Sequence, residues 1–155
     1  MTGRADRMLA DLKRAGLKLT PQRIAIVREL ADDLSHPTAQ ALFERLRPAY
    51  PTMSFATVYS TLDVLVERGL LSPARALSAD PGSRAVRFDP NTEPHHHAIC
   101  DACGNVVDIP LDALALAPAP PAPPEPLALV GFRVLREERT YHGLCDRCTA
   151  APAAT

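Results

Sequence analysis

Residues 54–69 read Ser54-Phe55-Ala56-Thr57-Val58-Tyr59-Ser60-Thr61-Leu62-Asp63-Val64-Leu65-Val66-Glu67-Arg68-Gly69. A serine just before an apolar-periodic run is a helix N-cap, and a glycine just past it is a C-terminal stop. The stretch therefore predicts a helix from Ser54 to Arg68. Phe55, Val58, Leu62, Leu65 and Val66 fall on one face as a core stripe. Ala56, Thr57, Ser60, Asp63 and Glu67 fall on the other, with Tyr59 at the boundary. Small side chains on the outer face allow close approach to a DNA major groove, where Tyr59 would reach a base or a phosphate. The plainer alternative is a solvated face with Tyr59 packed at its edge.

Working outward, three helices precede this one. Residues 7–15 carry Met8, Leu9 and Leu12 on one side and end at Gly16. Thr20-Pro21 is a hydroxyl cap followed by a first-turn proline, and Ile24, Val27 and Leu30 follow at helical spacing. A third helix begins at Thr38, turns Leu42, Phe43 and Leu46 toward a core, and stops before Pro48 and Pro51. After Gly69, Leu70-Leu71 and Ala85-Val86-Arg87-Phe88 read as two short strands joined through Asp80-Pro81-Gly82-Ser83. Three helices, a further amphipathic helix and a β-hairpin are the order of a winged helix-turn-helix. Lys13, Arg14, Lys18 and Arg23 flank the first two helices, as phosphate contacts or simply as exposed charge.

Beyond Pro90 the character changes. Ala98-Ile99 and Val106–Ile109 read as strands either side of Cys100-x-x-Cys103, and residues 132–142 as a longer strand leading into Cys145-x-x-Cys148. Four thiolates in two such knuckles make a closed tetrahedral zinc cage with no open coordination position. Two disulfides in an exported chain are the alternative, and a reducing cytosol favours metal. The 41 residues between Cys103 and Cys145 mean that the cage ties distant strands together, so zinc supplies folding free energy to a small half-domain. Between the knuckles, six prolines in positions 118–126 forbid a continuous helix. We read the Ala/Pro-rich segment 117–126 as an extended linker.

His36, Asp89, His95, His97 and Asp108 are candidates for a second metal site. His95 and His97 alternate, so on an extended segment their imidazoles share a face. Imidazole with carboxylate suits Fe²⁺, Mn²⁺, Zn²⁺ or Co²⁺. Taken singly, each has an ordinary reading: His36 as a residue before a helix start, Asp89-Pro90 as a turn, the histidine run as a solvated polar tract.

Bulk properties bound the class. The net charge of −1 hides a gradient: 13 basic and 9 acidic side chains up to residue 87, then 4 basic and 9 acidic. A basic first half suits a polyanion and an acidic second half suits cations. No apolar run approaches the roughly 20 residues that span a bilayer, and no secretory signal is evident. The expectation is a soluble cytoplasmic protein with no membrane partner and no small-molecule substrate.

Together the pieces resemble the ferric uptake regulator family of metal-dependent bacterial repressors. The resemblance rests on Leu19-Thr20-Pro21-Gln22-Arg23, Ser35-His36-Pro37-Thr38-Ala39, Ala56-Thr57-Val58-Tyr59 and Arg87-Phe88-Asp89. It continues through His95-His96-His97-Ala98-Ile99-Cys100-Asp101-Ala102-Cys103-Gly104 and Cys145-x-x-Cys148, and covers residues 12–148 apart from the proline tract.

The resemblance implies an α+β fold: a winged-helix DNA-binding domain over 1–89 and an α/β dimerisation and metal-binding domain over 90–155. It implies structural Zn²⁺ on Cys100, Cys103, Cys145 and Cys148, and a regulatory Fe²⁺ or Mn²⁺ on His36, Asp89, His95, His97 and Asp108. The partner it implies is palindromic operator DNA, bound by a homodimer whose recognition helices match half-sites about 34 Å apart or a multiple of that. Lys18, Arg23, Thr57, Tyr59 and Ser60 are the DNA-binding residues expected. Asp108, with the His-Pro-Thr-Ala and Thr-Pro-Gln-Arg words, is similar to the peroxide-sensing branch. There, bound Fe²⁺ reacts with hydrogen peroxide and a ligand histidine is oxidised, by position His36 or His95.

Two departures stand out. The family's dimerisation helix would run into the proline tract, so it is either shortened to about Leu111–Ala117 or replaced by strand contacts. A third metal site found in some relatives uses a histidine where this chain has Glu137, although His96 is present. Two other readings compete: a manganese- or iron-responsive repressor of metal uptake without peroxide chemistry, and a zinc-dependent hydrolase. The second needs a general base beside an open metal position, and no H-E-x-x-H word occurs.

Overall fold

Three hydroxyl groups open three of the four helices in the first half of the chain. Thr20 accepts the backbone N–H of Arg23, Thr38 that of Ala41, and Ser54 that of Thr57. Each satisfies a donor that the first helical turn leaves unpaired. They start α2 (Pro21–Ala31), α3 (Ala39–Leu46) and α4 (Phe55–Glu67). Before them, α1 runs Arg4–Arg14, a turn earlier than the periodicity predicts, and has no side-chain cap. The computed structural model describes residues 3–74, 77, 85–116, 131 and 139–150. Contacts divide the chain into two units, Met1–Thr92 and Glu93–Thr155.

In the first unit the apolar stripes of all four helices converge. Leu12, Ile26, Val27, Leu30, Leu42, Val58, Leu62 and Leu65 are completely buried. Thr61 is buried among them, and its hydroxyl is satisfied by donating to Thr57 O at 2.7 Å. Gly69 ends α4 at φ 66°, where a Cβ would be strained. The chain then forms β1 (Ser72–Ala74), antiparallel to β2 (Arg87–Asp89), with Ser72 opposite Asp89. This strand lies later than the Leu70-Leu71 we expected. Leu71 is instead drawn into the helical core at 2 % exposure, beside Phe88 at 4 %. The expected turn at Asp80–Ser83 lies outside the described residues.

The second unit is a three-stranded sheet in the order β4-β3-β5. β3 (His95–Cys100) pairs antiparallel with β4 (Val106–Pro110) and parallel with β5 (Thr140–Gly143). β3 begins at the histidines, three residues before the expected Ala98. A 3₁₀ helix, Leu111–Leu116, follows β4, and a short helix, α5 (Asp146–Ala150), follows β5. Among the described residues, only Ile99, Cys100 and Val106 give this unit a buried apolar interior. The Ala/Pro-rich tract 117–126, Glu137 and most of the expected strand 132–142 lie outside the described residues. Among the described residues no helix is long and apolar enough to cross a membrane.

Candidate metal centres

The knuckles are built by backbone geometry. Gly104, at φ 70°, donates its N–H to Cys100 O at 2.8 Å and turns the chain back tightly. Cys148 N likewise donates to Cys145 O at 2.9 Å. The parallel β3–β5 pairing sets Cys100 beside Gly143, so the second knuckle starts next to the first. All four Sγ atoms lie within 4.8 Å of one another, and none is in a disulfide.

A tetrahedral zinc with Zn–S bonds of about 2.3 Å places neighbouring sulfurs about 3.8 Å apart. Cys103 and Cys145 Sγ stand 3.8 Å apart. The Cys145 N–H points at Cys100 Sγ from 3.3 Å. That contact, with the N–H groups of Cys103 and Ala102, lowers the Cys100 thiol to about 6. Cys148 moves the other way, to about 12, because Cys103, Cys145 and Cys100 crowd it. Four thiolates cannot share this volume without a cation. The donor set fits zinc.

The other candidate ligands form a separate constellation in each unit. In the first, His36 sits on the turn between α2 and α3 at φ 52°, a left-handed conformation uncommon for a residue with a side chain. Its Nδ1–H donates to Leu34 O at 3.1 Å, which leaves the lone pair of the neutral ring on Nε2. Nε2 lies 3.7 Å from Asp89 Oδ1, and both side chains are at most 2 % exposed. The turn is tied to β2: Phe88 N donates to Pro37 O at 2.9 Å, Thr38 bridges Arg87, and the Arg87 guanidinium donates to His36 O at 3.1 Å. Asp89 also accepts the Asn91 N–H at 2.7 Å. From the helical side, Arg45 reaches Ser35 Oγ at 3.1 Å and pairs with Asp33. Burial opposes ionisation of Asp33, but the Ser35 and Arg45 hydrogen bonds outweigh it and hold the carboxyl below its usual range.

In the second unit the antiparallel register puts His97 opposite Asp108. His95 and His97, two apart on β3, present Nε2 atoms 2.9 Å from each other. Two imidazole nitrogens at about 2.1 Å from one ion, at right angles, stand about 3 Å apart. Asp108 Oδ1 is 3.6 Å from His95 Nε2 and 4.0 Å from His97 Nε2. Glu93 O accepts the His95 Nδ1–H at 2.7 Å. Metal-binding histidines are oriented in this way, by a backbone carbonyl on the far ring nitrogen. His96 is on neither constellation. It is buried, and its Nδ1 accepts the Arg139 N–H at 3.2 Å.

The expected DNA-binding residues all lie in the first unit. Tyr59 is 42 % exposed. Thr57 is half-buried and Ser60 exposed. Their hydroxyls engage the helix itself: Thr57 Oγ1 pairs with Ser54 Oγ at 2.9 Å, and Ser60 donates to Thr57 O at 3.2 Å. Lys18 is exposed, while Arg23 is half-buried and donates to Lys18 O at 2.9 Å across the α1–α2 turn. Sequence reasoning missed Arg87 as the residue that holds His36, because its carbonyl partner lies 51 positions away and no spacing rule marks it.

Comparison with known proteins gives consistent results. The family model described as "Ferric uptake regulator family" matches residues 14–118. The peroxide operon regulator of Bacillus subtilis (strain 168) is 36 % identical over 143 residues, covering 91 % of this chain and 90 % of that protein. The peroxide-responsive repressor PerR of Staphylococcus epidermidis is 34 % identical over 145 residues, covering 92 % and 89 %. Among solved structures, the Campylobacter jejuni peroxide stress regulator is 27 % identical, with a TM-score of 0.62 over 90 % of this chain and 98 % of that one.

Proposed function

This chain belongs to the ferric uptake regulator family, and from that premise we propose that it is a peroxide-responsive, metal-dependent transcriptional repressor. It acts as a cytoplasmic homodimer on palindromic operator DNA. The relatives it matches over nine-tenths of its length are repressors and regulators rather than enzymes. The observation that carries the reading is the His95, His97 and Asp108 constellation, set by strand register with imidazole nitrogens 2.9 Å apart.

Structural Zn²⁺ belongs on Cys100, Cys103, Cys145 and Cys148, and a regulatory Fe²⁺ or Mn²⁺ on His36, Asp89, His95, His97 and Asp108. Two carboxylates balance the charge of one divalent ion, and the three neutral imidazoles complete an intermediate donor set. Neither constellation alone offers more than three donors. One ion shared by both would tie the DNA-binding half to the second half and hold a DNA-competent state.

The protein's contribution is to aim lone pairs. Leu34 O and Glu93 O fix the tautomers of His36 and His95, so both present Nε2. Arg87 holds the His36 turn against β2. Bound Fe²⁺ would supply the reducing electron for hydrogen peroxide, which Mn²⁺ does not readily do. His36 and His95 would be the ligand side chains oxidised. Oxidation of either imidazole would remove one nitrogen donor from the set of His36, Asp89, His95, His97 and Asp108, and so would weaken metal-dependent operator binding.

Mass spectrometry of iron-loaded protein after peroxide treatment tests this. One added oxygen on His36 or His95, with loss of operator binding and no change in manganese-loaded protein, is the expected result. Unmodified histidines with retained DNA binding would exclude peroxide sensing and leave a repressor of metal-uptake genes.

A further inference from the structure

Phe55 is placed by the structure against the expectation drawn from its helix. It is the first residue of α4 and is 37 % exposed, whereas Val58, Leu62 and Leu65 of the same helix are fully buried. Its ring meets Tyr59 edge-on, with centroids 5.3 Å apart at 66°, and Phe43 of α3 at 5.7 Å and 85°. Phe43 is packed against the core behind it. The exposed Arg47 guanidinium lies 5.9 Å over the Phe43 ring. The row Arg47, Phe43, Phe55, Tyr59 is thus anchored in the core, open to solvent at its Phe55–Tyr59 end, and flanked by a cation.

We propose that Phe55 is a second sequence reader on α4, making apolar contact with the C5-methyl group of an operator thymine beside the base contacted by Tyr59. The inference rests on the reading of α4 as the recognition helix. Recognition helices present their N-terminal residues to the base edges, and Phe55 is the first residue of this one. Thymine alone offers an apolar group in the major groove, so an exposed aromatic ring there has one complementary base. The neighbouring polar groups compete weakly, because the Thr57 and Ser60 hydroxyls are engaged within the helix. Edge-to-face contact with two rings fixes Phe55 before it binds, so little side-chain freedom is lost. Arg47, over Phe43 at the other end of the row, is placed to add a phosphate contact.

Manganese-loaded wild-type protein first selects duplexes from a random pool. Each thymine of the selected half-site is then replaced by deoxyuridine, which lacks only the methyl group. One position should bind about fourfold more weakly, the scale of one methyl group returned to water. Phe55→Ser should bind the thymine and uracil duplexes at that position equally, and keep its sensitivity elsewhere. A second measurement needs no variant: 5-iodouracil at that position, on irradiation, should attach the DNA to the peptide carrying Phe55. A scan with no sensitive position, sensitivity that survives in Phe55→Ser, or a crosslink to Tyr59 alone overturns the role of Phe55 and leaves α4 as the reader. Failure of the wild type to select any sequence overturns that role and the recognition-helix reading together.

Discussion

His36 concentrates the local chemistry of the first unit. A left-handed φ costs a residue with a Cβ about 1–2 kcal/mol, so the surrounding contacts must over-determine the turn. They do so on three sides: its own ring bonds Leu34 O, Arg87 bonds its carbonyl, and Phe88 N bonds Pro37 O. Arg87→Ala should therefore weaken Mn²⁺ binding about 10- to 100-fold, the usual cost of removing a group that orients a ligand. Zinc content should not change. Arg87→Lys should recover part of the loss, since an ammonium still donates to a carbonyl but lacks the planar fork. Calorimetric Mn²⁺ titration of the three proteins checks this. Unchanged affinity in Arg87→Ala would refute the positioning role. At the cage, Cys100 is both buried and the target of the Cys145 N–H. Cys100→Ser should lose the zinc and, with it, the thermal transition of the second unit. Metal analysis alongside a melting curve decides, and retained zinc with an unchanged melt would sink the zinc assignment.

Elements were legible where their cause is local. Thr20-Pro21, Thr38 and Ser54 announce helices because a cap needs only its own side chain and an N–H three residues on. The shared face of His95 and His97 follows from strand alternation alone. What long-range packing decides was not legible. Phe55 matches the apolar stripe of α4, yet in the first turn it meets α3 rather than the core. The wing strand starts at Ser72 because the core takes Leu71. The His97–Asp108 pairing depends on a register that crosses the knuckle, and the φ of His36 depends on contacts from β2.

The element with the clearest functional consequence is α4. Its buried face is fixed by Val58, Thr61, Leu62 and Leu65, so the 42 % exposed Tyr59 is not needed for the core. Tyr59→Ala should keep the melting temperature and weaken operator binding by roughly 1–3 kcal/mol. Lys18→Ala should weaken all duplexes alike and flatten the salt dependence. Fluorescence anisotropy with operator and scrambled duplexes over a salt series separates the two. Equal operator affinity for wild type and Tyr59→Ala would count against α4 as the reader.

At the scale of the molecule, the two units hold together by different means. The first has a core from four helices and β2, in which Leu12, Ile26, Val27, Leu30, Leu42, Val58, Leu62 and Leu65 are among the fully buried side chains. The second buries few apolar residues among those described, and small units of this kind need a metal or another staple. On the proposed reading, stability and switching draw on separate sites: apolar burial and the proposed zinc would maintain the fold, and the proposed regulatory ion would couple the units. A substitution at His36 should reach the coupling alone. Alanine is a poor choice, because it keeps the Cβ cost at φ 52° without a polar side chain that bonds locally to offset it. Asparagine tolerates the left-handed region and keeps the turn while removing the imidazole. His36→Asn should thus retain one zinc per chain, the wild-type melt and the dimeric state, yet bind operator no better with Mn²⁺ than without it. Zinc analysis, light scattering and a Mn²⁺-dependent DNA titration on one preparation read all three. If metal-stimulated operator binding survives in His36→Asn, the ion does not act through the first unit and the coupling mechanism is wrong, while the zinc cage and the DNA-reading helix stand unaffected.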